Sequence, residues 1–392
     1  MQKIKSLNTI IILTMLAMIA TMLDNATGKG GIMKIIALAM DVLLIVWCFF
    51  KTNTQYFFRQ ITPICLLAII ILTINTIITP YADGVSWLLK YIGYFVFFIY
   101  GKELGKEGYL LKGNKWGIIV MIIIPLLMVF LFDDTSIKNK FFPNSNSFVH
   151  WGICMSLAYF LFNNQTKKSL KVAFCIILAY IIVGTSLGIM VAIFLSIFII
   201  NYKKVNPIFL LTVPIIAILC IAYIDLPVFE RFRDSFRVLQ ILSIDEILNP
   251  QNVNFYELSL EATSSGRTDN ASFVWRILQW TTLFSTYISN LIYIPFGMGL
   301  EWSTDYTGLP PHNDYLKILV EYGIIFFLII IIGYKKVYNV VKYNQAFYFI
   351  LPIFIYHISE NLLGNFPQNV FFYISLGYYY SLNHLKNETT IN

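Results

Sequence analysis

Charge is what this sequence lacks. Only 12% of its 392 residues are Asp, Glu, Lys or Arg, against about a quarter in an ordinary soluble chain. That scarcity excludes a soluble enzyme. Cysteine is sparse as well: Cys48, Cys65, Cys154, Cys175 and Cys220 all fall inside apolar stretches. None has C-x-x-C spacing for a metal and no disulfide framework emerges, so they read as small core residues. The chain also lacks a repeat of fixed period and a low-complexity tract. Its first apolar run follows Lys3 and Lys5 as a signal peptide would, but no small-x-small cleavage site comes after it. That run is kept as a span.

Apolar sequence is what the chain has in abundance. Hydrophobic residues make up 58% and the mean hydropathy is +0.70. Runs near 7–23, 31–50, 60–79, 86–101, 116–132, 147–162, 170–184, 187–201, 206–225, 313–333, 345–363 and 368–384 predict an all-α polytopic membrane protein. It would have about twelve transmembrane helices of about 20 residues each. The pair at 170–184 and 187–201 is short and broken by Gly184-Thr185-Ser186, which suits either a tight hairpin or one bent unit.

The net charge of +7 comes from lysines in the short gaps between spans, such as Lys167, Lys168 and Lys171. This is the signature of cytoplasmic loops, and no basic stripe with interleaved aromatics suggests a nucleic acid. Placing these lysines inside puts both termini in the cytoplasm. The chain then divides into spans one to nine (1–225), one large external loop (226–312), and spans ten to twelve with a cytoplasmic tail (313–392).

Arginine is distributed quite differently from lysine. Five of six arginines, Arg231, Arg233, Arg237, Arg267 and Arg276, fall in the external loop, which has no lysine. Orientation needs only charge, so arginine there suggests geometry: its planar fork matches phosphate or carboxylate oxygens in pairs. For Arg231, Arg233 and Arg237 the plainer reading is preferred. Phe229, Phe232, Phe236 and Leu239 recur at helical spacing, so 228–242 predicts an amphipathic helix at the membrane surface, its arginines meeting nearby acids or lipid phosphates. Arg276 differs. It lies in a second apolar helix, 269–292, capped by Thr268 or Asp269, with Trp280 one turn on. A charge there is costly unless it serves a cavity or a partner.

The segment Leu309-Pro-Pro-His-Asn-Asp-Tyr315 is a second signal. Pro310 and Pro311 keep the chain extended and Asn313 is placed to cap the tenth span. His312 precedes that cap at the positive helix end, where the field favours a neutral imidazole and attracts anions. Asp314, Lys317 and Glu321 follow at intervals of three and four, and for Lys317 and Glu321 an ion ladder that packs the span is the expected role. His150 near the outer end of the sixth span, and His357 with Glu360 in the outer half of the eleventh, are further polar candidates.

Taken in order, Arg276-x-x-x-Trp280, Pro295-x-Gly297-x-Gly299, His312-Asn313-x-x-Leu316 and Glu321-x-Gly323 resemble the signature of the O-antigen ligase and polymerase superfamily. Phe142-Pro143-Asn144 is similar to an aromatic-Pro-Asn element of that family. One departure is Thr185-Ser186-Leu187-Gly188, where the family often has Ser-Arg-Gly. Arg267 is the substitute candidate for the missing arginine. The resemblance implies a GT-C-like membrane glycosyltransferase of the bacterial inner membrane. It would transfer glycan outside that membrane from an undecaprenyl diphosphate-linked donor to a lipid-linked acceptor, inverting and without metal or other cofactor. Its implied partners are these two lipids, the bilayer and a chain-length regulator. Arg276 and Arg267 would hold the donor diphosphate, Arg276 and His312 would be catalytic, and Asn144, His150, Asn313, Asp314, Tyr315 and Glu360 would line the cavity.

A polysaccharide polymerase of O-antigen or capsule is the leading expectation, with a ligase acting on lipid A core or another acceptor as the alternative. A flippase or transporter of lipid-linked sugars suits twelve spans, and Asp41, Lys90 and Glu360 would mark its path. It is disfavoured because no two-halves repeat is seen. A non-catalytic assembly partner leaves the R-x-x-x-W and H-N-x-x-L elements unexplained.

Overall fold

The computed structural model describes residues 4–27, 31–78, 84–131, 141–202, 212, 215, 219, 222–224, 227–250, 253 and 272–391, without 143, 164 and 185. The described residues are predominantly helical, and the chain forms two compact units, residues 1–196 with 328–392, and residues 197–327.

The first unit opens with β1 (Ile4–Ser6) and continues through α1 (Asn8–Ala26), α2 (Ile32–Lys51), α3 (Thr54–Gln60), α4 (Pro63–Ile78) and α5 (Gly84–Lys106). Strand β2 (Leu110–Lys112) then pairs in parallel with β1, a three-residue ladder that the helical reading did not anticipate. Next come α6 (Lys115–Leu131), α7 (Ser145–Phe162), α8 (Lys167–Gly184) and α9 (Leu187–Asn201). Apolar residues such as Ile32, Ile35, Phe50 and Ile77 are more than two-thirds exposed, as a lipid-facing surface requires. Among the described residues four helices are long and apolar enough to cross a membrane: α1, α2, α5 and one running from Asp314 to Val341. A fifth candidate is α3 with α4, bent by 83° at their junction. The predicted ninth span, 206–225, lies mostly outside the described residues.

Close helix packing explains several glycines. A methyl group at Gly101 would collide with the Ile374 carbonyl, and one at Gly377 with that of Phe98. Small residues let two backbones approach where lipid offers no hydrophobic drive for association. Here they join α5 to α16 (Phe366–Ile391). Tyr94 of α5 stacks on Tyr373 at 4.5 Å between ring centres and donates to the Leu363 carbonyl at 2.5 Å. Helix α7 is buried almost all round, with Trp151 donating to the Met121 carbonyl at 2.9 Å.

The eleventh predicted span needs correction. Helix α15 (Phe347–Tyr356) stops seven residues before 363, and residues 357–365 are non-helical. His357, Ser359, Glu360 and Asn361 are polar, and a continuing helix would present some of them to lipid. The chain instead breaks and folds them inward, with His357 and Glu360 both at most 2% exposed.

The second unit holds α10 (Pro227–Ile241), α11 (Ile244–Leu248), α12 (Ser272–Ser289), α13 (Trp302–Thr307) and the start of α14 (Asp314–Val341). Val238 and Leu242 pack with Val274 and Leu278, so the two predicted loop helices share a small core. Ser243 and Glu246 form a reciprocal cap on α11. The amide and hydroxyl of Ser243 hold the Glu246 carboxyl below its usual range.

Candidate functional site

The motif segments meet in the second unit, and backbone hydrogen bonds explain their glycines. Helix α14 is interrupted at Gly323, whose φ of 82° is left-handed. An interrupted helix strands carbonyls before the break and amides after it. The Pro295–Gly299 turn answers both sets. Met298 and Gly299 donate to the carbonyls of Val320 and Glu321 at 2.8 and 3.1 Å, and the Ile324 amide donates to the Ile294 carbonyl at 2.9 Å. The two chains are so close that a Cβ at Gly297 would strike the Glu321 carbonyl, and one at Gly323 the Pro295 carbonyl.

Gly323→Ala should therefore be strongly destabilising. A backbone at φ 82°, ψ 172° is essentially reserved for glycine and costs a side chain about 1–3 kcal/mol, and overpacking about 1–3 kcal/mol more. The thermal unfolding midpoint of the purified variant should fall well below that of the wild type. Gly333→Ala, where a Cβ would meet open space within the same helix, serves as the control and should not lower it.

Behind this joint lies a buried cluster. Lys317 Nζ bonds Glu301 Oε1 at 2.9 Å and stands 3.8 Å from Glu321 Oε1. The Ser303 hydroxyl donates to Glu321 at 2.5 Å. The expected Lys317–Glu321 ladder thus exists, but the nearer partner is Glu301, a residue the sequence reading did not select. Its backbone is left-handed too, with φ of 60°. Glu301 follows Gly299 by two positions, so the turn that binds α14 also delivers its carboxylate to Lys317.

Above this cluster, α12 is clasped to the His312 segment. Trp280 Nε1 donates to the Pro311 carbonyl at 2.5 Å, and Gln279 donates to the Leu309 carbonyl at 2.7 Å and the Thr307 hydroxyl at 2.8 Å. Trp275 meets the His312 ring edge-on, centres 5.8 Å apart. Arg276 sits between these two tryptophan anchors on the same helix and is partly buried. Asn313 caps α14 as expected, accepting from the Leu316 amide at 2.9 Å. Asp314 is buried in the first turn, where a carboxylate suits the positive helix end, and Tyr315 is partly buried. His312 adopts φ of 48°, an uncommon backbone for a non-glycine residue and one that clusters at functional sites. The motif logic missed Trp275 and Gln279; their spacing around Arg276 was the available signal.

The surface arginines are engaged locally. Arg237 pairs with buried Asp234 at 3.1 Å, and Arg233 donates to the Ile224 carbonyl at 3.2 Å. The side chain of Arg231, all of Arg267, and the caps expected at Thr268 and Asp269 lie outside the described residues.

In the first unit the candidates make several polar contacts of their own. Asn144 caps α7, its side chain accepting from the Ser147 amide at 2.7 Å. His150 is fully buried, its Nδ1 3.0 Å from Gln368 Oε1 and its Nε2 3.4 Å from Cys154 Sγ. Glu360 accepts from the Asn146 amide group. The Ser186 hydroxyl donates to Asn146 Oδ1 at 2.5 Å and lies 2.9 Å from the Tyr356 hydroxyl. The hairpin that departs from the family pattern thus places a serine against Asn146, the partner of Glu360.

Comparison with known proteins agrees with the motifs. Residues 172–331 match the family model described as O-Antigen ligase (Wzy_C). Comparison with curated proteins gives no match. With its apolar helices, the match indicates an integral inner-membrane protein, and the matched family, whose members are membrane enzymes of glycosyltransferase type, implies lipid-linked oligosaccharide substrates in general. Over residues 172–331 the chain carries an O-antigen ligase domain of the O-antigen ligase and polymerase superfamily.

Proposed function

We propose that the protein is a polysaccharide polymerase. It moves glycan from a polyprenyl diphosphate-linked donor to the sugar of a lipid-linked repeat unit on the outer side of the inner membrane. The observation that carries this reading is the clasp of the Arg276 helix onto the His312 segment through Trp280 and the Pro311 carbonyl. It supports one arginine and one histidine serving one reaction centre.

In that reaction the acceptor hydroxyl oxygen attacks the anomeric carbon from the face opposite the diphosphate, so the configuration inverts. The carbon–oxygen bond to the diphosphate breaks and its electron pair leaves with the phosphate oxygen. Arg276 stabilises this growing negative charge through paired N–H donors in a water-poor setting. His312 takes the hydroxyl proton as the new glycosidic bond forms. No metal is assigned a role.

The description of the matched family favours a second reading, a ligase that delivers glycan to a different acceptor. Purified protein given lipid-linked repeat units alone separates the two. A ladder of products identifies a polymerase. Transfer only when a non-repeat acceptor is added identifies a ligase, and no transfer to either rejects both. The outward orientation has its own test: a cysteine replacing exposed Leu248, in a chain otherwise freed of cysteine, should react with an impermeant thiol reagent on intact cells. Labelling only after lysis would contradict it.

A further inference from the structure

A cleft of about 320 Å³ opens in the first unit, away from the Arg276 and His312 motifs in sequence. It is lined by the end of α1, the starts of α2, α5 and α16, and Phe141 and Phe142. In the orientation read from the lysines all these helix ends are external, the side on which the proposed transfer occurs. The volume is at the small end of ligand pockets, which run from about 300 to 1,000 Å³.

The chemistry of the lining is specific. Two acidic side chains, Asp24 and Asp41, line it together with two lysines, Lys34 and Lys90. A diphosphate calls for positive charge without competing acids, which this mixed lining does not provide. The Gln368 amide, whose oxygen meets His150, keeps N–H donors, and Asn25, which donates to the Phe141 carbonyl, keeps its oxygen as an acceptor, while partly exposed Phe141 supplies ring surface. Carboxylates and amides that bond hydroxyls, beside a ring that covers C–H groups, are what a sugar requires. Among the described residues, one oxygen of Asp24 and one of Asp41 are buried without a hydrogen-bond partner. A buried acceptor without a donor costs about 1–3 kcal/mol. The carboxylate torsion is soft and roughly two-fold, so an incoming hydroxyl can satisfy either oxygen.

We infer that this cleft is a glycan-binding subsite, holding sugar residues of a lipid-linked substrate through Asp24, Asp41 and the flanking amides. The inference rests on the proposed function for the origin of the glycan. Its test, equilibrium binding, does not need turnover. The probe is the free repeat-unit oligosaccharide released by mild acid from the host's polyprenyl-linked pool, which carries neither lipid nor phosphate. Titrated into full-length protein in lipid nanodiscs, it should bind the wild type, and Asp41→Asn and Asp24→Asn should each weaken binding about tenfold or more. His312→Ala should bind it as the wild type does. Absence of binding to the wild type overturns the inference, as does unchanged affinity in both aspartate variants. So does competition by inorganic pyrophosphate, which would make the cleft an anion site. Two variants are used because α2 carries Asp41 in its body, whereas Asp24 lies in the last turn of α1 and perturbs folding less. Titrating donor and acceptor lipids separately against Asp24→Asn identifies the substrate whose KM rises; if neither rises, the cleft does not serve the reaction. Loss of turnover in His312→Ala with oligosaccharide binding intact would leave both readings standing. Normal turnover in His312→Ala would reject only the catalytic one.

Discussion

Arg276→Lys should transfer glycan about a hundred to a thousand times more slowly than the wild type, although it preserves the positive charge. Removing one preorganised donor to a developing oxyanion costs on the order of 2.7–4 kcal/mol in the barrier. Lysine offers a compact, strongly hydrated point charge where arginine offers a rigid fork, so it does not restore two parallel hydrogen bonds to phosphate oxygens. The position makes the substitution informative. Trp280 and Gln279 fix α12 to the Thr307–Pro311 segment independently of residue 276, so the helix should stay in place when the guanidinium is lost. Single-turnover rates with lipid-linked donor check this. A wild-type rate would reduce Arg276 to a counter-charge.

The second large effect is expected at His312. His312→Ala should lower turnover by about a hundredfold to ten-thousandfold, the range for a positioned general base. Its left-handed backbone offers a way to separate chemistry from folding. His312→Asn retains a residue type tolerant of that conformation but has no basic nitrogen. It should fold as well as the wild type and be nearly as slow as alanine. If asparagine restores the rate, His312 acts through backbone geometry alone and the proton goes elsewhere.

Much of this was readable from the sequence, in places where one physical rule dominates. Amphipathic spacing placed α10 within a residue at each end, and Asn313 was identified as a cap because its side chain precedes an apolar run. The pattern broke down where long-range partners decide. Nothing local marks Glu301 as the partner of Lys317, since the link depends on a turn docking on an interrupted helix. The span expected at 345–363 ended early because average hydropathy conceals four polar residues that the fold turns inward. The two-stranded ladder between Ile4–Ser6 and Leu110–Lys112 joins segments about a hundred residues apart, beyond the reach of any periodicity. The motif glycines were recognised as a pattern, but their reason, backbone packed directly on backbone, belongs to the folded chain.

The most direct test of the account is the affinity of the lipid-linked donor for Arg276→Ala and His312→Ala, each first shown to insert and fold at normal levels. The division of roles predicts wild-type donor affinity in His312→Ala despite its lost turnover, and weakened donor affinity together with lost turnover in Arg276→Ala. Wild-type donor affinity in Arg276→Ala would contradict it.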